Sequence, residues 1–242
     1  MIGNAALVTG AASPLGAAMA LALADLGFDL ALQDVVSTAN LVEQVRSKGR
    51  QAVPMEAEMQ DAVQLDALVS DAADKLGSPL TRLVNNAAPL SPDGLGTLSR
   101  VGWDQSMDAA LWTPLRLAQC FAQQVPKGLR VQNGEPFAQN LILNIIDQRV
   151  GDCAPDFMTH SITAAGLKAF TKTAALDLAP DIRVNAIGIG PQRPGQYQFA
   201  AHASDQRFSS DDFANFNPVA AAVRYFSQAP AVTGQLMSVR VE

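Results

Sequence analysis

The sequence predicts an α/β fold, a doubly wound parallel β-sheet flanked by helices, in a single domain over residues 1–242. Three observations carry that prediction. Short apolar runs alternate with helix-length segments from end to end, the pattern of strands joined by right-handed crossover helices. The chain is 48% hydrophobic and only 17% charged, which suits a sheet covered on both faces. The first apolar run leads into a glycine-containing turn, Thr9-Gly10-Ala11-Ala12-Ser13-Pro14-Leu15-Gly16, and then into a helical pattern.

The elements follow in order. Residues 5–9, 28–34, 52–55, 81–85, 139–145, 182–187 and 235–239 read as strands, each brief and mostly branched or apolar. Residues 15–26, 38–48, 61–76, 100–124, 157–179 and 218–228 carry apolar side chains at helical spacing. Residues 126–136 are polar and contain glycine, and read as a surface loop. Residues 191–212 form the longest irregular stretch, placed after the sixth strand where a sheet of this type carries substrate-covering segments. At 242 residues one substantial core is enough to hold all of this.

Composition excludes several classes of function. A net charge of −6 without a run of Lys or Arg argues against nucleic acid or an anionic membrane as partner. No apolar stretch reaches the ~18 residues of a membrane span. The N-terminus has no basic region or signal-peptide core, so a cytoplasmic protein is expected. Two cysteines, Cys120 and Cys153, make no disulfide framework, and two histidines, His160 and His202, leave a zinc site short of ligands, so no metal is expected.

The first turn has the makings of a phosphate site. A strand, a glycine turn and a helix start present free N–H groups and a positive dipole end, here at Gly10, Ser13, Leu15 and Gly16. Asp34 ends the second strand, 24 residues after Gly10. A carboxylate there would bond the adenosine ribose hydroxyls and repel a 2′-phosphate. No Arg or Lys flanks Ser13 or Val35, so NAD(H) is favoured over NADP(H). Pro14 removes one N–H from the turn but is comfortable as a first helical residue.

Thr9-Gly10 with Gly16, Asn85-Asn86-Ala87-Ala88 after the fourth strand, and Arg183-Val184-Asn185-Ala186-Ile187 in the sixth resemble the short-chain dehydrogenase/reductase family, across essentially the whole chain. The resemblance implies a Rossmann-type sheet and a nicotinamide cofactor. It adds Glu58 beside the adenine, Asn86 and Ala87 in the turn beside the adenosine, and Gly190 near the nicotinamide amide. The family's Pro-Gly at that last place is Ile189-Gly190 here. Asp147 at the family's Ser position, and a non-glycine within the first turn, further resemble the pteridine reductase and dihydromonapterin reductase branch.

The same resemblance exposes what is missing. The family's Ser, Tyr, Lys and Asn positions hold Asp147, His160, Ala164 and Ala110, so the Tyr-x-x-x-Lys pair is replaced by His160 and Ala164. The two tyrosines, Tyr197 and Tyr225, do not begin such a motif. Lys168 is on the stripe of His160 but about 12 Å along the helix. Two readings of His160 stay open. In one, Asp147 orients an imidazole that gives a proton near neutral pH, making an oxidoreductase for a carbonyl or pterin-like substrate. In the other, His160 is drift in an inactive relative, a pseudoenzyme acting as a binding or regulatory subunit. Surplus apolar residues on the helices 100–124 and 157–179, with the resemblance, imply a homodimer or homotetramer, or a heteromer with an active paralogue.

Overall fold

In the computed structural model, residues 4–86, 91–125, 130–132, 135–137, 139–148, 153–190 and 216–241 are described. Seven parallel strands form one sheet in the order β3-β2-β1-β4-β7-β8-β9. They are β1 (Ala5–Val8), β2 (Asp29–Asp34), β3 (Ala52–Glu56), β4 (Leu80–Asn85), β7 (Asn140–Asp147), β8 (Ile182–Gly190) and β9 (Leu236–Arg240). Each begins within one residue of its predicted start and ends within three of its predicted end.

Strand alternation divides the core in two. From β1, Ala6 and Val8 face one side while Ala5 and Leu7 face the other, and all four are fully buried. The first side is covered by α1 (Pro14–Asp25), α2 (Ala39–Ser47) and α7 (Asn217–Gln228). The second is covered by α3 (Ala62–Leu76), α5 (Thr113–Gln124) and α6 (Met158–Asp177). Each fully buried Leu or Phe on these faces, such as Leu83 or Phe121, contributes about 1.5–3 kcal/mol.

Two sequence readings are corrected. The expected single helix over residues 100–124 is α4 (Arg100–Met107), a five-residue π-helical turn (Asp108–Trp112) and α5. Pro114 has no N–H to give the carbonyl of Ala110, and the Thr113 N–H reaches back five residues to Asp108. The loop expected over residues 126–136 contains a hairpin, β5 (Arg130–Gln132) paired antiparallel with β6 (Glu135–Phe137). In sequence Asn133-Gly134 stands between them, the dipeptide that most favours a tight hairpin. The stretch 191–212 lies outside the described residues.

The Arg183-Val184-Asn185 motif has a structural task. Arg183 Nη1 donates to the carbonyls of Phe226 (2.8 Å) and Ala229 (3.0 Å), which closes the C-terminal end of α7. Asn185 Nδ2 donates to Val232 O at 2.8 Å and its Oδ1 accepts the Gln235 N–H at 3.0 Å, which shapes the turn into β9. Arg82 joins the same helix end through Ser227 O at 3.2 Å and lies 4.8 Å from the Phe28 ring centroid. Burial, and then the charge of Arg183, push the Arg82 guanidinium down to about 9; burial pushes Arg183 down to about 10. Among the described residues no helix is long and apolar enough to cross a membrane, and no group of three metal-ligating side chains is assembled.

Candidate active site

The carboxyl ends of β1, β2 and β4 build the predicted phosphate turn. Gly10 takes φ 60°, and a Cβ added at Gly16 would overlap the Gly10 carbonyl oxygen. Only glycine allows α1 to start this close to the turn. Ser13 caps α1: its Oγ accepts the Gly16 N–H at 3.0 Å and donates to Gly10 O at 2.8 Å. Pro14 takes the first helical position, as expected. Asn86 Nδ2 donates to Thr9 O (3.2 Å) and Gly10 O (3.0 Å), while its main-chain N–H donates to Thr9 Oγ1 at 3.0 Å.

The Ser13 and Asn86 side chains are thus spent on holding the turn in shape. At the start of α1 the Gly16 and Ala17 N–H groups are both taken by Ser13, and among the described residues the Leu15 main-chain N–H is given no acceptor. This arrangement fits a dinucleotide: a glycine notch that a side chain would fill, a rigid turn, and a helix start with a donor to give.

Asp34 is buried at the tip of β2, 7% exposed. Its Oδ2 accepts the Ala12 N–H at 2.9 Å, and its Oδ1 accepts those of Val35 (2.8 Å) and Val36 (3.3 Å). The carboxylate is therefore part of the turn as well as a neighbour of any ribose laid across it. Gln33, unremarked in the sequence, does similar work: Oε1 accepts the Gly10 N–H at 3.3 Å and Nε2 donates to Ala57 O at 2.8 Å. Glu58 is exposed on the next loop, its N–H held by Gln64 Oε1 at 3.0 Å. Gly190 ends β8 opposite Arg240 of β9. Ala87 lies outside the described residues, as do Tyr197 and His202.

On the same edge of the sheet β7, which lies beside β4, and α6 bring Asp147 and His160 together. His160 is 9% exposed, and its Nε2 lies 2.8 Å from the main-chain oxygen of Asp147. A carbonyl oxygen only accepts, so Nε2 carries the hydrogen and Nδ1 is the second nitrogen of the ring. The contact joins imidazole to backbone rather than to the Asp147 carboxylate, a detail that residue spacing does not encode.

The ground beyond His160 is apolar. Ala164 packs against Ile146, Leu167 and Ala186, with Leu111 and Phe170 alongside. Ala110, in the π-helical turn, lines a small cavity of about 10 Å³ with Asn85, Asn86, Thr113 and Leu167. Beneath it a buried polar chain crosses the sheet: Asn85 Nδ2 to Asn144 Oδ1 (2.9 Å), Asn144 Nδ2 to Thr171 Oγ1 (3.0 Å), Thr171 Oγ1 to Leu167 O (2.8 Å). Neither this chain nor the Asp93 contacts with Thr159, where Asp93 Oδ1 accepts the Thr159 N–H at 3.0 Å, was legible from spacing. Asn144 in a strand was the one available signal.

Comparison with known proteins agrees with this geometry. A family model described as enoyl-(acyl carrier protein) reductase matches residues 10–239. A 3-oxoacyl-[acyl-carrier-protein] reductase of Staphylococcus aureus is 29% identical over 191 residues, 77% of this chain and 74% of that protein. Among solved structures, the FolM alternative dihydrofolate reductase 1 of Brucella suis in complex with NADP is 29% identical with a TM-score of 0.78, over 98% of this chain and 93% of that one. A blue fluorescent protein from a metagenomic library, in complex with NADPH, is 25% identical with a TM-score of 0.78, over 99% and 97% of the two chains. Both solved relatives hold the phosphorylated cofactor, which does not support the preference for NAD(H) read from Asp34.

Proposed function

This chain belongs to the short-chain dehydrogenase/reductase family, and from that premise we propose that it is a nicotinamide-dependent oxidoreductase in which His160 carries the proton. The observation behind the proposal is the 2.8 Å contact of His160 Nε2 with Asp147 O. With Nε2–H spent on a carbonyl, Nδ1 is the nitrogen that gains and loses a proton. A bound nicotinamide supplies or accepts the hydride. In reduction, hydride adds to the carbon of a C=O or C=N group, and protonated His160 gives its Nδ1 proton to the oxygen or nitrogen as negative charge develops there. Asp147 holds the ring in place through its main-chain oxygen.

The proposed substrate is a carbonyl or pterin-like ring. Asp147 at its place in β7 and the 29% identity to the FolM alternative dihydrofolate reductase 1 support the pterin-like choice. We also propose a preference for NAD(H). The buried Asp34 carboxylate stands at the ribose end of the turn, where it would repel a 2′-phosphate. The test is calorimetric titration with NADH and NADPH, followed by NADH oxidation with aldehydes, ketones and dihydropterins. Micromolar NADH binding, at least tenfold tighter than NADPH, supports the reading; binding of neither cofactor overturns it.

A second reading, a non-catalytic subunit pairing with another copy or an active paralogue, is favoured by one feature. Alanines stand at 110 and 164, and apolar Trp112 (54% exposed) and Ile162 (43%) face outward on the adjoining π-helical turn and α6. Light scattering on the purified chain, with and without cofactor, separates a self-sufficient oligomer from a chain that needs a partner.

A further inference from the structure

The start of α6 lacks its own cap. The residue before it, Phe157, makes no side-chain hydrogen bond to the helix, yet the first N–H groups of a helix need acceptors. They find them 66 residues away in sequence, at Asp93 on the loop after β4. Asp93 Oδ1 accepts the Thr159 N–H at 3.0 Å, its Oδ2 accepts the Thr159 hydroxyl, and its main-chain oxygen accepts the Met158 N–H at 3.2 Å. The Asp93 N–H in turn donates to Asp156 O at 2.9 Å, and Asp93 and Phe157 form a parallel bridge. A carboxylate is also the charge that the positive end of a helix favours. Thr159 is 1% exposed, so solvent does not compete for these contacts.

His160 is the next residue along. We propose that Asp93 is a positioning residue for His160: by pinning the first turn of α6 it aims the imidazole at Asp147 O and so decides which ring nitrogen carries the hydrogen. This rests on the reading of His160 as the proton carrier, but the structural half of the claim is measurable without any turnover. The reach of the Asp93 loop matters here. These contacts tie the loop at Asp93 to the residues on either side of the helix start, Asp156 to Thr159.

The chain has two histidines, so ring nitrogen signals are few and His160→Gln assigns them. Long-range ¹H–¹⁵N spectra of the labelled full chain distinguish Nε2–H from Nδ1–H rings. In the parent, His160 is expected as the Nε2–H form. In Asp93→Ala, exchange of the Thr159 amide should quicken about tenfold, the scale of a lost charged cap. The Nδ1–H form of His160 should rise with it, and Asp93→Asn, which keeps an acceptor, should restore most of the parent spectrum. Faster Thr159 exchange with an unaltered His160 ring would overturn the proposal, leaving Asp93 as a cap alone. Should Asp93→Ala fail to fold, Thr159→Val removes only the hydroxyl contact, and an unaltered ring there would overturn it equally. A parent with the expected ring form but no turnover would count against the proposed chemistry and leave the positioning intact.

Discussion

The Nε2 nitrogen of His160 stands 2.8 Å from the main-chain oxygen of Asp147, so the last residue of β7 holds the ring by its backbone. That geometry fixes one end of the imidazole, and the proposed mechanism uses the other. His160→Gln keeps an N–H donor of similar reach but has no titrating nitrogen. It should cut kcat/KM at least ~100-fold, within the range for loss of a general acid. The midpoint of thermal unfolding should move by less than about 3 °C. Retained turnover would remove His160 from the mechanism.

Gly16 sits against the Gly10 carbonyl with no room for a methyl group. Gly16→Ala must push α1 away from the turn. The expected cost is about 3 kcal/mol, or roughly 10 °C in unfolding midpoint for a chain of this size. Dinucleotide binding should fall below detection in calorimetry, because the helix start moves with the strain.

Replacing Asp34 tests cofactor choice and turn stability together. Asp34→Asn removes the negative charge while an amide oxygen in the Oδ1 place still accepts the N–H groups of Val35 and Val36. The ratio of NADPH to NADH affinity should rise at least tenfold. A ratio equal to the parent's would assign selectivity to other residues.

Installing the tyrosine and lysine that the family resemblance implies, with His160→Tyr and Ala164→Lys, places a long cation against Ile146, Leu167 and Ala186. Overpacking of that apolar ground should cost about 1–3 kcal/mol, so the unfolding midpoint should drop by several degrees. NADH-dependent reduction of a small diketone should rise at least tenfold over the parent. No gain from a folded double variant would indicate that the turn no longer presents the cofactor to this wall.

Asp61 caps α3 by accepting the N–H groups of Val63 (2.9 Å) and Gln64 (3.2 Å) and a bond from the Gln64 side chain. The Gln64 N–H, the Gln64 side chain and the Val63 N–H, in that order, hold its carboxyl below the usual value of 3.8. A depressed folded-state value means stability that is present above pH ~4 and lost as pH falls through the folded value. Asp61→Ala should therefore lower the unfolding midpoint by about 2 °C at pH 7. The gap between the two proteins should close as the solution is taken below pH 3.8. A gap that persists in acid would mean that the cap works through neutral hydrogen bonding.

Most of the architecture was legible because it rests on local pattern. A strand buried on both faces, such as β1, is continuously apolar, and the glycine turn before α1 states its own geometry. What escaped was set by contacts distant in sequence or by a single interrupting residue. Pro114 splits one expected helix through the hydrogen bond it cannot make to Ala110. The antiparallel pairing of Arg130–Gln132 with Glu135–Phe137 interrupts the loop read over residues 126–136. In the site, the types at 147 and 160 were readable, but not that backbone rather than carboxylate meets the imidazole. Nor does spacing reveal that Asp34 is held by three main-chain N–H groups.

The strand order also governs how this chain emerges from the ribosome. β1, β2 and β3 are synthesised in sequence and pair as neighbours, but β4 joins β1 on one side and leaves its other edge bare. That edge is covered only when β7 arrives, 54 residues further on, and β7 in turn waits for β8. Until then Leu80–Asn85, with Leu80, Leu83 and Val84 among its side chains, presents an unpaired, template-like border to its neighbours. Chains interrupted between residues 86 and 139 should collect as insoluble material, whereas slowing translation within that interval should leave the finished protein soluble only where a chaperone shields the nascent border.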